Sequence, residues 1–141
     1  MSRVRTPSST LILRLCLGKA FFLFMNWFTT KKTSSFNWLR LTDNYSFQLA
    51  MQKSFEKKIL IFKHSTRCSI SSMALYRIED NLKQKIAACY LLDLLKYRSI
   101  SNKIEEELGV KHESPQILVI ENGVCTYHSS HNDISWDRIP I

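Results

Sequence analysis

The chain has 141 residues, a net charge of +8, 45% hydrophobic residues and only three glycines and three prolines, enough for one domain with a core and too few chain-breaking residues for long disordered tracts. The charge is uneven: residues 1–24 hold Arg3, Arg5, Arg14 and Lys19 without an acid, and the other 16 basic and 12 acidic groups leave a mild +4. With no aromatics interleaved among Lys and Arg in the body of the chain, that balance speaks against a nucleic-acid partner.

Residues 1–24 read as a misassigned start or a dispensable extension, with Met25 as an alternative start. Their apolar runs are interrupted by Arg14 and Lys19. A spanning helix needs about 20 mostly apolar residues, and a secretory signal needs an unbroken apolar centre. A weak membrane anchor is therefore only the second reading. Residues 25–37 are expected as a polar linker and 38–141 as the folded domain.

Residues 38–41 read as a short first strand. Thr42 or Asp43 caps a helix to about residue 55, with Phe47, Met51 and Phe55 at i, i+4 and i+8. Residues 59–62 are a buried second strand. A basic, hydroxyl-rich turn follows, Lys63-His64-Ser65-Thr66-Arg67, with Ser65 and Thr66 as natural N-caps. A helix then runs from Cys68 to about residue 85, and its Ile70, Met73, Ala74 and Ile78 are expected to pack on a sheet. Residues 88–92 form a third strand, apolar enough to be covered on both faces. Residues 99–108 form a helix closed by Gly109, with Glu105, Glu106 and Glu107 on a solvated face. Residues 117–120 are a fourth strand. Asn122-Gly123 is a two-residue hairpin turn, and residues 124–128 return antiparallel. A short helix over about 132–138 ends the domain. The order βαβαβαββα is α/β with a hairpin at one end. It resembles the thioredoxin-like fold, a central mixed sheet of four to five strands flanked by helices.

Of the four cysteines, Cys16, Cys68, Cys89 and Cys125, no two stand at C-x-x-C spacing. Cys89 and Cys125 lie in apolar runs and read as inert core thiols. No disulfide framework is evident, which fits a reducing compartment. Cys68 differs. It opens a helix, where unpaired backbone N–H groups favour an anion, and the thiolate is the reactive form of cysteine. Lys63, His64, Thr66, Arg67 and Ser71 are the candidate thiolate-stabilising residues. Ser71 stands where a dithiol enzyme carries its resolving cysteine, and it can offer the thiolate only a hydrogen bond. The pattern C-x-x-S therefore favours single-thiol chemistry with an external small thiol. Pro115 precedes the fourth strand, where its missing N–H costs no ladder bond. With Ser114 it is the candidate substrate-binding element. The histidines show no paired Cys/His spacing, so no metal is expected.

Four blocks resemble one family: 62–71 (Phe-Lys-His-Ser-Thr-Arg-Cys-Ser-Ile-Ser), 92–98 (Leu-Asp-Leu-Leu-Lys-Tyr-Arg), 112–116 (His-Glu-Ser-Pro-Gln) and Asn122-Gly123, with 128–131 (His-Ser-Ser-His) near the end. These resemble the bacillithiol-system redox proteins of the YtxJ type, the monothiol bacilliredoxins, over roughly residues 36–138. The resemblance implies a cytoplasmic bacterial thiol-disulfide oxidoreductase with Cys68 as nucleophile. It implies a cis proline at Pro115, facing the nucleophile. It also implies no bound cofactor, bacillithiol or another low-molecular-weight thiol as co-substrate, and as partners proteins that carry mixed disulfides with that thiol. A monomer is expected, without nucleic acid or membrane. Ser69 departs from relatives that carry proline after the nucleophile, a residue that would preset the first helical φ. Two other readings stay open: a monothiol glutaredoxin-like module that binds an iron–sulfur cluster, and a redox-inactive thioredoxin-like adaptor.

Overall fold

The computed structural model describes residues 36–80, 86 and 88–140. The expectations for residues 1–24, Cys16, most of the linker and the end of the Cys68 helix lie outside these residues. Along the described chain the elements are β1 (Leu39–Arg40), α1 (Asn44–Lys53), β2 (Ile59–His64), α2 (Ser69–Asp80), β3 (Ala88–Asp93), α3 (Arg98–Leu108), β4 (Gln116–Glu121) and β5 (Val124–Ser130). They build one five-stranded sheet in the order β1-β3-β2-β4-β5. β1, β3 and β2 run parallel, and β4 and β5 run antiparallel to their neighbours.

Strand alternation sends neighbouring β2 side chains to two different cores. Ile59 and Ile61 face α1 and α3, among Phe47, Ile104 and Leu118. Leu60 and Phe62 face α2, among Ala74, Ile78 and Trp136. All four β2 residues are fully buried, as expected of a central strand covered on both faces. Each such side chain contributes about 1.5–3 kcal/mol by leaving water.

The helix ends follow local chemistry. Asp43 extends its backbone ahead of α1 and accepts the Ser46 N–H at 2.7 Å. Ser46 returns the bond, its Oγ accepting the Asp43 N–H at 3.2 Å. Gly109 ends α3 in the left-handed region at φ 65, where a side chain would be strained. Asn122 and Gly123 have φ of 52 and 77, the pair of positive values that joins two twisted strands in a two-residue turn.

Four expectations are corrected. β2 continues two residues past Phe62, because Lys63 and His64 still pair with Leu92 and Asp93 of β3. The two are strand residues and do not belong to the turn. Ile70 and Met73 are 46% and 61% exposed, so only Ala74 and Ile78 of the proposed stripe enter the core. Phe55 lies beyond α1 and is 65% exposed. Its ring instead lies over Gly123. The final helix is two 3-10 turns, His131–Asp133 and Trp136–Arg138, separated by extended backbone at Ser135.

Candidate active site

Cys68 ends a tight turn leaving β2. Its N–H donates to the Ser65 carbonyl at 3.1 Å, and its carbonyl accepts the Ser72 N–H at 3.1 Å. The second bond is the first of α2, which makes Cys68 itself the N-cap, a role expected of Ser65 or Thr66. Competition between caps is decided by where β2 ends. A strand that runs to His64 leaves Ser65, Thr66 and Arg67 to turn the chain, and the helix begins one step later. Cys68 is half-buried, while Thr66 and Arg67 are exposed beside it.

His64 and Ser71 meet beneath this turn. Ser71 Oγ lies 2.7 Å from His64 Nδ1 and accepts the Ser65 N–H at 3.0 Å. Ser71 is fully buried and His64 is 8% exposed. Burial pushes the imidazole below its ordinary range, and Arg40 acts in the same direction, while Asp93 and Glu79 oppose it. Asp93 is the register partner of His64. Its Oδ1 also accepts the Leu95 N–H at 3.0 Å. The Ser71 hydroxyl, expected to point at the sulfur, is thus engaged with the imidazole and the turn.

Lys63 lies elsewhere. One residue from His64 in a strand, it points to the opposite sheet face, toward α3. There it is fully buried, and its Nζ has no hydrogen-bond partner among the described residues. Burial lowers its pKa to about 8, opposed by Glu105 and Cys125 and reinforced by Arg98. Lys63 is expected beside the thiol only if residues 63–67 form one basic turn, and its pairing with Leu92 makes it a strand residue instead. The structure keeps Arg67 in that turn and removes Lys63 from it.

The Ser114–Pro115 bond is cis. Gln116 pairs with Lys63 in the antiparallel β2–β4 ladder. Pro115 therefore stands at the end of the sheet from which the Cys68 turn leaves. Its carbonyl accepts the His131 N–H at 3.0 Å. The Ser114 Oγ is buried without a partner among the described residues. An open cleft of about 590 Å³ lies along Glu113, His128, Ser129, His131 and Arg138. Cys68 is not part of its lining.

The remaining described cysteines are poor nucleophiles. Burial pushes the Cys89 thiol up to about 12. It also raises the Cys125 thiol, which donates to the Tyr127 carbonyl at 3.3 Å. His112 is held at the start of α3 by Ser101 Oγ at 2.8 Å and Arg98 at 3.0 Å. Asp93 was not singled out from sequence. The signal was a lone carboxylate ending an otherwise apolar strand.

A half-buried thiol at a helix start beside a mixed sheet defines a thiol redox protein of the thioredoxin fold. A solved protein described as having a thioredoxin fold is similar at 28% identity and TM-score 0.63, over 70% of this chain and 87% of its own. Thioredoxin from Trypanosoma brucei brucei is 11% identical with TM-score 0.56, over 67% and 79% of the two chains. Thioredoxin O1 from Arabidopsis thaliana is 17% identical with TM-score 0.54, over 68% and 86%. Those two thioredoxins bear on the fold alone. Residues 39–139 match the family described as monothiol bacilliredoxin BrxC, and the chain belongs to that family.

Proposed function

We propose that this protein removes bacillithiol from protein mixed disulfides by single-thiol exchange at Cys68. The Cys68 thiolate attacks the bacillithiol sulfur, a new S–S bond forms, and the protein thiol leaves. A second bacillithiol attacks the Cys68 mixed disulfide, releasing oxidised bacillithiol and restoring the thiol. Bacillithiol, or another low-molecular-weight thiol in its place, is thus the co-substrate, and no bound cofactor is needed. The partners are proteins carrying such mixed disulfides, met in the cytoplasm by a monomeric enzyme.

The observation that carries this reading is Cys68 at the N-cap of α2 with serine, not cysteine, three residues on. A thiolate there gains from the helix N-terminus. No thiol at position 71 can intercept the mixed disulfide. The test is release of bacillithiol from a bacillithiolated protein by the wild-type chain and by Cys68→Ser and Cys89→Ala. Cys68→Ser should be inactive and Cys89→Ala close to wild type. Activity in Cys68→Ser would sink the assignment, and a folded but inactive Cys89→Ala would replace the single-thiol scheme with a dithiol one.

A further inference from the structure

Both ring nitrogens of His112 are engaged, and one of the two bonds fixes the ring's protonation state. Nε2 lies 3.0 Å from the Arg98 guanidinium, and Nδ1 lies 2.8 Å from Ser101 Oγ. A guanidinium has donors only, so Nε2 must accept. A neutral ring that accepts at Nε2 carries its proton on Nδ1. That proton goes to Ser101, which is fully buried. The ring thereby ties the segment after α3, residues 109–115, back to the first turns of α3. The other ties of this segment lie toward its ends. Val110 is buried in the core beneath α1 and α3. Gln116 Nε2 donates to the Lys111 carbonyl at 2.9 Å, and the Pro115 carbonyl accepts the His131 N–H at 3.0 Å. His112 stands two residues before Ser114, at the threshold of the candidate substrate-binding element.

Protonation breaks this arrangement on one side. An imidazolium donates from both nitrogens. The Ser101 bond can persist, but Nε2 then faces the guanidinium donor to donor, with two positive charges where one bond had been. Burial does most to keep the ring neutral. Arg98 on α3 and Lys63 on β2 act the same way, while Glu105 on α3 and Glu113 in the loop itself oppose them.

We propose that His112 is a positioning residue for the substrate loop: the neutral ring holds residues 113–115 in place for a protein substrate, and the imidazolium lets them go. This rests on the reading of Ser114 and Pro115 as the element that meets a protein carrying a mixed disulfide. Such a partner lays an extended backbone along the loop, as an added strand does. A small disulfide makes no such pairing. Acid should therefore weaken exchange with protein substrates and spare small ones.

The experiment uses the full chain with two substrates, a bacillithiolated protein and 2,2′-dithiodipyridine, a small aromatic disulfide, from pH 5 to 8. The ratio of the two rates cancels the titration of the Cys68 thiol, which both share. In the wild type this ratio should fall below pH 6.5. His112→Asn can still donate to Ser101 but does not titrate, and its ratio should stay flat. Arg98→Gln keeps a donor for Nε2 without the charge, so the fall should move to higher pH. It decides alone if His112→Asn fails to fold. NMR of the same chain should show the Nδ1–H tautomer of His112 at pH 7.5. The Glu113 and Ser114 amide signals should shift with the midpoint of the ring. A ratio that still falls in His112→Asn, a fall left in place by Arg98→Gln, or amides unmoved as the ring titrates would overturn the clamp. The NMR arm needs no exchange chemistry. Failure to release bacillithiol at any pH would therefore overturn the proposed function, while the amides alone would decide the clamp.

Discussion

At the scale of single residues, β2 places two basic side chains in opposite worlds. His64 faces α2 and its serine, whereas Lys63 faces α3 with a fully buried amine that has no hydrogen-bond partner among the described residues. Burying an ammonium without a partner is costly. Its pKa of about 8, against an ordinary 10.5, means that the unfolded chain holds a proton between those values while the folded chain does not. Stability from this group therefore rises with pH between about 8 and 10.5, and the penalty is fully present below 8. Lys63→Met should stabilise the protein at pH 7 by roughly 1–3 kcal/mol. That gain should shrink toward pH 10.5 in urea titrations run at both values. A Met variant no more stable than wild type at pH 7 would mean that the amine is satisfied in solution. Thiol labelling tests the other assignment at this scale. At pH 8, iodoacetamide should modify Cys68 well before Cys89, whose thiol is pushed up to about 12, as peptide mapping over time would show.

At the scale of elements, the hairpin and the end of α1 depend on each other. The Asn122 N–H donates to the Ser54 carbonyl and the Gly123 N–H to Ser54 Oγ, both at 2.9 Å. A Cβ on Gly123 would come within 2.8 Å of Phe55 Cζ, while one on Gly109 would meet open space. Both glycines have positive φ, so Gly109→Ala should cost about 1 kcal/mol from backbone conformation alone. Gly123→Ala should cost more, and Phe55→Ala should remove the excess, because the exposed ring is what the new methyl meets. Equal losses at the two glycines would show that the ring swings aside freely. Much of this scale was legible in the sequence. Asn-Gly named the turn and Gly109 the C-cap, since each reports a local backbone need. Phe55 misled, because i, i+8 spacing describes a helix face only while the helix lasts. Ile70 and Met73 misled for a related reason: periodicity marks a face, but not how much of it the sheet covers.

At the scale of the whole molecule, the thioredoxin order of elements could be read from apolar runs and turn signals. The site needed the register. Cys68, Ser71 and Pro115 could be named from spacing, but the His64–Asp93 and Lys63–Gln116 pairs exist only once β2 lies between β3 and β4. The same burial shapes the acid response. His64 and His112 are both held below their ordinary pKa chiefly by burial. The unfolded chain therefore takes up protons first as the pH falls below about 6.5, and stability drops there. His112→Asn should flatten the fall in thermal midpoint between pH 6.5 and 5. A slope equal to wild type would remove His112 from that account.

The central claim is that one thiol carries the chemistry. Its most direct measurement is intact-mass and peptide mass spectrometry of the full chain mixed with a bacillithiolated protein, before and after free bacillithiol is added. The account predicts a bacillithiol adduct on Cys68, formed as the partner's thiol is freed and removed by the second addition. A partner that loses its bacillithiol with no adduct at Cys68, or with the adduct on Cys89 or Cys125, would contradict it.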